Sequence, residues 1–154
     1  MEMKWRLFLP RMVAKKMFDL AIYKKKLSIQ KCIEFVKDNE AGGIDVFIGT
    51  VRNKSKVKKV KYLFYETYRK MALLEMEKIA KHATKKWGLK KVSIHHREGK
   101  LTVGDTSVVI AVSSAHRKEA FEACRYIIDT LKDTVPIWKK ELYENGEEWV
   151  SANP

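Results

Sequence analysis

Acidic residues are scarce in this chain: 19 Asp and Glu stand against 32 Lys and Arg, a formal net charge of +13 over 154 residues. That balance says nothing about fold. It attracts polyanions, acidic proteins or anionic small molecules, and charge alone does not choose among them. A solvated lysine-rich surface accounts for most of the excess. Cysteine is scarce as well. Cys32 and Cys124 both fall on apolar stripes of predicted helices, which reads as core and argues against a disulfide or redox pair. The histidines His82, His95, His96 and His116 show neither Cys/His zinc spacing nor His-Glu-x-x-His, so no metal site and no cofactor is expected. Glycines are too sparse, Gly42-Gly43 and Gly49 included, for a phosphate-cradling loop or a dinucleotide fingerprint, and no Ser-His-Asp order is present. No apolar run approaches the roughly 20 residues that a membrane-crossing helix needs. The segment Met1–Met17 is basic and partly apolar, but Pro10, Arg11, Lys15 and Lys16 interrupt any export-signal core, so a cytoplasmic protein is expected.

What is present reads as one domain over residues 18–154 behind a basic extension, residues 1–17. Ser28 caps a short helix with Ile29, Cys32, Ile33 and Val36 facing inward, and Ala41-Gly42-Gly43 stops it. Ile44–Val51 reads as a mostly buried strand, Lys54–Lys59 as a structureless basic loop, and Val60–Tyr68 as an alternating strand paired antiparallel with its predecessor. Met71–Trp87 is a helix closed by Gly88, followed by strands at Lys91–Arg97 and Thr106–Val112. A helix with Ala120, Phe121, Cys124, Ile127, Ile128 and Leu131 at helical spacing comes next, and Pro136 ends it. Ile137–Tyr143 and Glu147–Val150 flank Asn145-Gly146 as a C-terminal hairpin. Strand pairs separated by helices give an α+β fold with a mainly antiparallel sheet.

Chemistry concentrates between Ser113 and Glu141. His116 and Arg117 open the third helix, where free backbone N–H groups favour an anion, although a solvated helix end reads the same way. Lys132 closes that helix, where the dipole favours any cation. Lys139 and Lys140 follow on a strand, and alternation sends one of them inward with Ile137 and Glu141. Arg52, at the end of a buried strand, is a further candidate anion ligand. Sixteen residues of helix separate His116 from Lys132, about 24 Å at the helical rise, so one small ligand cannot touch both within one subunit. Either they serve different sites or a symmetric dimer joins them.

Ordered landmarks then carry a resemblance. They are Gly49-Thr50-Val51-Arg52-Asn53, Tyr65-Glu66, His95-His96-Arg97-x-Gly99, Ser114-Ala115-His116-Arg117, Ala120-Phe121-Glu122-Ala123, Leu131-Lys132, Val135-Pro136-Ile137-Trp138-Lys139-Lys140-Glu141 and Trp149-Val150. From Phe18 to Val150 the chain resembles the catalytic (large) subunits of molybdopterin synthase. The resemblance implies an α/β hammerhead-like fold and a homodimer at the core of a heterotetramer. It implies a small ubiquitin-like sulfur-carrier partner whose C-terminal Gly-Gly tail ends in a thiocarboxylate. It also implies sulfur transfer to cyclic pyranopterin monophosphate, which forms the dithiolene of the molybdenum or tungsten cofactor. By matching positions, Lys132 and Lys139 are the implied catalytic residues. Thr50, Val51, Arg52, His116, Arg117, Lys132, Lys139, Lys140 and Glu141 are the implied substrate-binding ones. A nucleic-acid module is the alternative class, with Tyr62, Phe64 and Tyr65 beside the lysine loop. Those aromatics read more readily as core, and no RNA-binding signature accompanies them.

Overall fold

The computed structural model describes residues 16–55, 58–144 and 146–150. Among them run nine strands and three helices. Their order is β1(Phe18–Tyr23), α1(Ile29–Val36), β2(Gly43–Thr50), β3(Lys54–Ser55), β4(Lys58–Thr67), α2(Arg69–Trp87), β5(Lys91–Arg97), β6(Gly99–Thr102), β7(Thr106–Ser114), α3(Arg117–Thr134), β8(Ile137–Tyr143) and β9(Gly146–Val150). The helix ends follow local rules. The Ser28 hydroxyl accepts from Lys31 N–H at 3.2 Å and caps α1. Gly88 closes α2 at φ +62°, a left-handed conformation that costs a glycine nothing. Pro136 cannot continue α3, and Val135 before it is extended.

The α+β, mainly antiparallel architecture matches the expectation, but the strands divide into two sheets. The first has the order β1-β5-β7-β2, and in the second β4 lies between β3 and β8, with β9 outside β8 and β6 also on β4. The expected pairing of Ile44–Val51 with Val60–Tyr68 does not form. β2 pairs with β7 from Gly43↔Ser114 to Thr50↔Thr106, and β4 pairs with β8 from Val60↔Tyr143 to Thr67↔Ile137. The reason lies in the two faces of each strand. β2 is apolar on both, with Val46 packed toward α1 and Phe47 toward the helices opposite, so it belongs in a sheet covered on both sides. β4 buries Val60 and Leu63 and leaves Lys59, Lys61 and Phe64 outward, as a one-sided sheet requires.

Three short elements were not expected. β1 runs parallel to β5 from Phe18↔Val92 to Tyr23↔Arg97. β6 pairs with β4 where only a turn was read, and the basic loop folds into the β3–β4 pairing Lys54↔Lys59 and Ser55↔Lys58. The C-terminal hairpin forms, with Tyr143↔Gly146 as its last pair; Asn145 itself lies outside the described residues. So does the extension 1–17, apart from Lys16 and Met17.

One core lies between the first sheet and the α2–α3 layer, around Met76, Ile94, Ile110 and Ile127. A smaller one under α1 joins Cys32 and Val36 to Val109 and Ala111, and a third under the second sheet joins Val51, Val60, Leu63 and Leu101. Both cysteines are free and buried, and burial pushes the Cys124 thiol up to about 12, as befits a core residue.

Candidate active site

Where the end of β2, the inward faces of β4 and β8 and the end of α3 meet, they enclose a cavity of about 470 Å³. Its mouth is charged and exposed: Thr50, Arg52 and Lys54 from the β2–β3 segment face Lys132 from the last turn of α3. Its floor is buried and mixed, with Leu63, His96, Ser107, Val108, Leu131 and Ile137. Lys139 and Glu141 reach it from β8. The β4–β8 register sets Lys139 beside Tyr65 and Glu141 beside Leu63. The lining residues thus carry four cations against a single carboxylate, a setting that favours anionic ligands.

Glu141 is only 3% exposed, yet a lysine and a phenol hold it. Lys139 Nζ lies 3.5 Å from its Oε1, and the Tyr143 hydroxyl donates to Oε2. Such pairing is what makes a buried carboxylate tolerable. Burial, reinforced by the Glu141 charge, raises the Tyr65 phenol above its ordinary value, so its O–H is retained as a donor. The Tyr65 ring meets the His96 ring edge to face, centroids 5.1 Å apart. His96 donates from Nδ1 to the Arg97 carbonyl at 2.8 Å, and burial drives its pKa down to about 4. At neutral pH the floor histidine is uncharged.

Of the residues singled out in the sequence, Thr50, Val51, Arg52, Lys132, Lys139 and Glu141 line this cavity together. His116, Arg117 and Lys140 do not. Lys140 turns to the opposite face of the second sheet, where it pairs with Glu147 at 2.6 Å and lies over the Trp149 ring. Lys139 is thus the inward one of the two lysines. His116 is the N-cap of α3 and Arg117 its first residue, both exposed at the far end of the helix from Lys132. They sit against the start of β2: a Cβ added at Gly43 would lie 3.3 Å from Arg117 Cα, so glycine is what lets strand and helix end approach so closely.

His96, Tyr65 and Ser107 line the cavity without having been proposed as site residues. The signal was there for His96. Two adjacent histidines on a strand must face opposite sides, so one of His95 and His96 had to point toward whatever the second sheet covered.

Residues 22–134 match the family model described as MoaE protein. A relative from Taeniopygia guttata named molybdopterin synthase catalytic subunit is 47% identical over 126 residues, covering 81% of each chain. One of the same name from Bacillus subtilis (strain 168) is 44% identical over 129 residues, 84% of this chain and 82% of its own. A solved structure of molybdopterin synthase from Staphylococcus aureus superposes with a TM-score of 0.81 at 40% identity, covering 88% of this chain and 98% of that one. A Helicobacter pylori structure of similar fold, a complex of subunits 1 and 2 of molybdopterin-converting factor, gives a TM-score of 0.71 at 24% identity, covering 86% and 90%.

Proposed function

The chain belongs to the MoaE family, and on that premise we propose that it is the catalytic subunit of a molybdopterin synthase, a sulfurtransferase of molybdenum cofactor biosynthesis. The substrate is cyclic pyranopterin monophosphate. The sulfur comes from a small ubiquitin-like carrier whose Gly-Gly tail ends in a thiocarboxylate. The observation that carries this reading is the cavity itself, which is lined by four cations and one buried carboxylate. Its ligands bring a phosphate and a thiocarboxylate, and the cations answer both.

The roles divide by position. Arg52 at the mouth offers paired donors to phosphate, with Thr50 and the Val51 backbone beside it. Lys139, anchored by Glu141 on the floor side, holds the thiocarboxylate. Lys132, exposed on the last helical turn, stabilises charge that develops at the carbon attacked by sulfur. Lys140 lies on the outer face and orients β8 through Glu147 and Trp149 without touching substrate.

His116 and Arg117 join the site from a second copy. β2 ends its sheet, and its eight residues span about 24 Å. Its first residue lies under Arg117, and its last opens on the cavity. Two copies with β2 antiparallel across a two-fold axis would carry His116 and Arg117 of one to Thr50–Arg52 of the other. Ile44 and Ile48, 42% and 40% exposed on this strand, would be covered by the same contact. The carrier then completes a heterotetramer, with residues 18–154 as a single catalytic domain and the cytoplasm as the site of action.

Anaerobic incubation with thiocarboxylated carrier and cyclic pyranopterin monophosphate tests the reading. A dithiolene product, identified by mass, is expected; no sulfur incorporation overturns it.

A further inference from the structure

The cavity is rich in donors and poor in acceptors. Arg52, Lys54, Lys132 and Lys139 can only donate. The carboxylate of Glu141 is engaged by Lys139 and by the Tyr143 hydroxyl, and the Ser107 hydroxyl donates to the Gly49 carbonyl at 3.2 Å. His96 stands apart. The residue is 5% exposed, and its ring meets Tyr65 edge to face. The bond from Nδ1 to a carbonyl fixes the proton on that nitrogen, which leaves a lone pair on Nε2. Nε2 has no hydrogen-bond partner among the described residues, and His96 lines the cavity. A buried polar atom with no partner costs free energy unless a ligand supplies one.

We propose that His96 is a specificity-determining acceptor on the cavity floor, where its Nε2 takes a hydrogen bond from an N–H of a bound ligand. This rests on the reading above, because that reading brings the ligands. Two of them carry such a donor: the pterin heterocycle, and the glycine amides of the carrier's tail. Burial keeps the imidazole uncharged near neutral pH, so Nε2 accepts and does not repel the cations around it.

The test compares wild type with His96→Gln, which keeps an acceptor oxygen at similar reach. The comparison also takes His96→Phe, which keeps the ring against Tyr65 but has no acceptor, and His96→Leu in case the phenylalanine does not fold. Calorimetric titration with cyclic pyranopterin monophosphate, and separately with thiocarboxylated carrier, reads each source of N–H. For one of the two ligands, Kd should rise roughly tenfold or more in the apolar variants, while the other ligand binds as before. His96→Gln should stay within about threefold of wild type for both. Unchanged affinities in a folded apolar variant overturn the proposal. So does an equal loss in His96→Gln, or a lowered melting temperature with binding intact, which would make the role structural. Because titration needs no turnover, a wild type that binds both ligands yet forms no dithiolene would sink the functional reading and leave the acceptor standing.

Discussion

At the scale of the residue, an uncharged histidine on the cavity floor links the site to stability. The His96 pKa falls from an ordinary 6.5 to about 4 through burial, outweighing the Arg97 carbonyl and the Glu98 charge that raise it. Between those values the unfolded chain binds a proton that the folded chain refuses, so stability rises with pH through this window. The contribution is complete above 6.5 and is lost as pH falls toward 4, about 3 kcal/mol in all. Urea denaturation at pH 7 and at pH 4.5 should show that loss in the wild type and a smaller one in His96→Phe. An identical pH dependence in both would remove the assignment. Lys139 and Lys140 carry a different lesson at this scale. Alternation says that they face opposite ways, but which one faces the cavity depends on the register of β8 against β4.

At the scale of the element, the strand least visible in the sequence is held by a polar clamp. β1 lies at the edge of its sheet, and its Asp19 carboxylate accepts from Ser93 Oγ at 3.2 Å and from His95 Nε2 at 2.8 Å. The other ring nitrogen of His95 faces Cys32 Sγ on α1 at 3.3 Å, and Tyr23 meets the ring edge-on. Burial raises the Cys32 thiol, so it keeps its proton and donates to Nδ1. One carboxylate thus ties together β1, β5 and α1. Asp19→Ala should cost about 1–3 kcal/mol by leaving the His95 N–H without an acceptor inside the protein. Hydrogen exchange should then speed up at β1 amides while β7 amides keep their protection; uniform loss across both would argue against a local clamp. The sequence shows the helices and their ends here because caps, glycine stops and 3.6-residue spacing are local. It does not show β1, whose partner β5 lies beyond α1, three further strands and α2.

At the scale of the whole molecule, the proposed function divides the site into two half-sites at opposite ends of α3. Lys132 and Lys139 lie in the cavity, while His116 and Arg117 lie at the start of β2. Lys132→Ala and His116→Ala should each reduce sulfur transfer by at least roughly tenfold as homodimers. Mixed as heterodimers, they should recover up to about half of wild-type activity, because one of the two sites then carries both intact residues. Sulfur transfer that stays at the level of the separate variants would show that the half-sites act apart. The sequence by itself determined the alternation of helices and strands, the cationic character and the spacing that forbids one ligand from spanning α3, since periodicity, charge and helical rise are local quantities. Only the tertiary structure decided which sheet each strand joins, which lysine turns inward, and that His96 and Tyr65 floor the cavity with Arg52 and Lys132 at its mouth. Those outcomes depend on burying both faces of β2 and one face of β4 at once, a condition set by distant partners and not by any neighbouring residue.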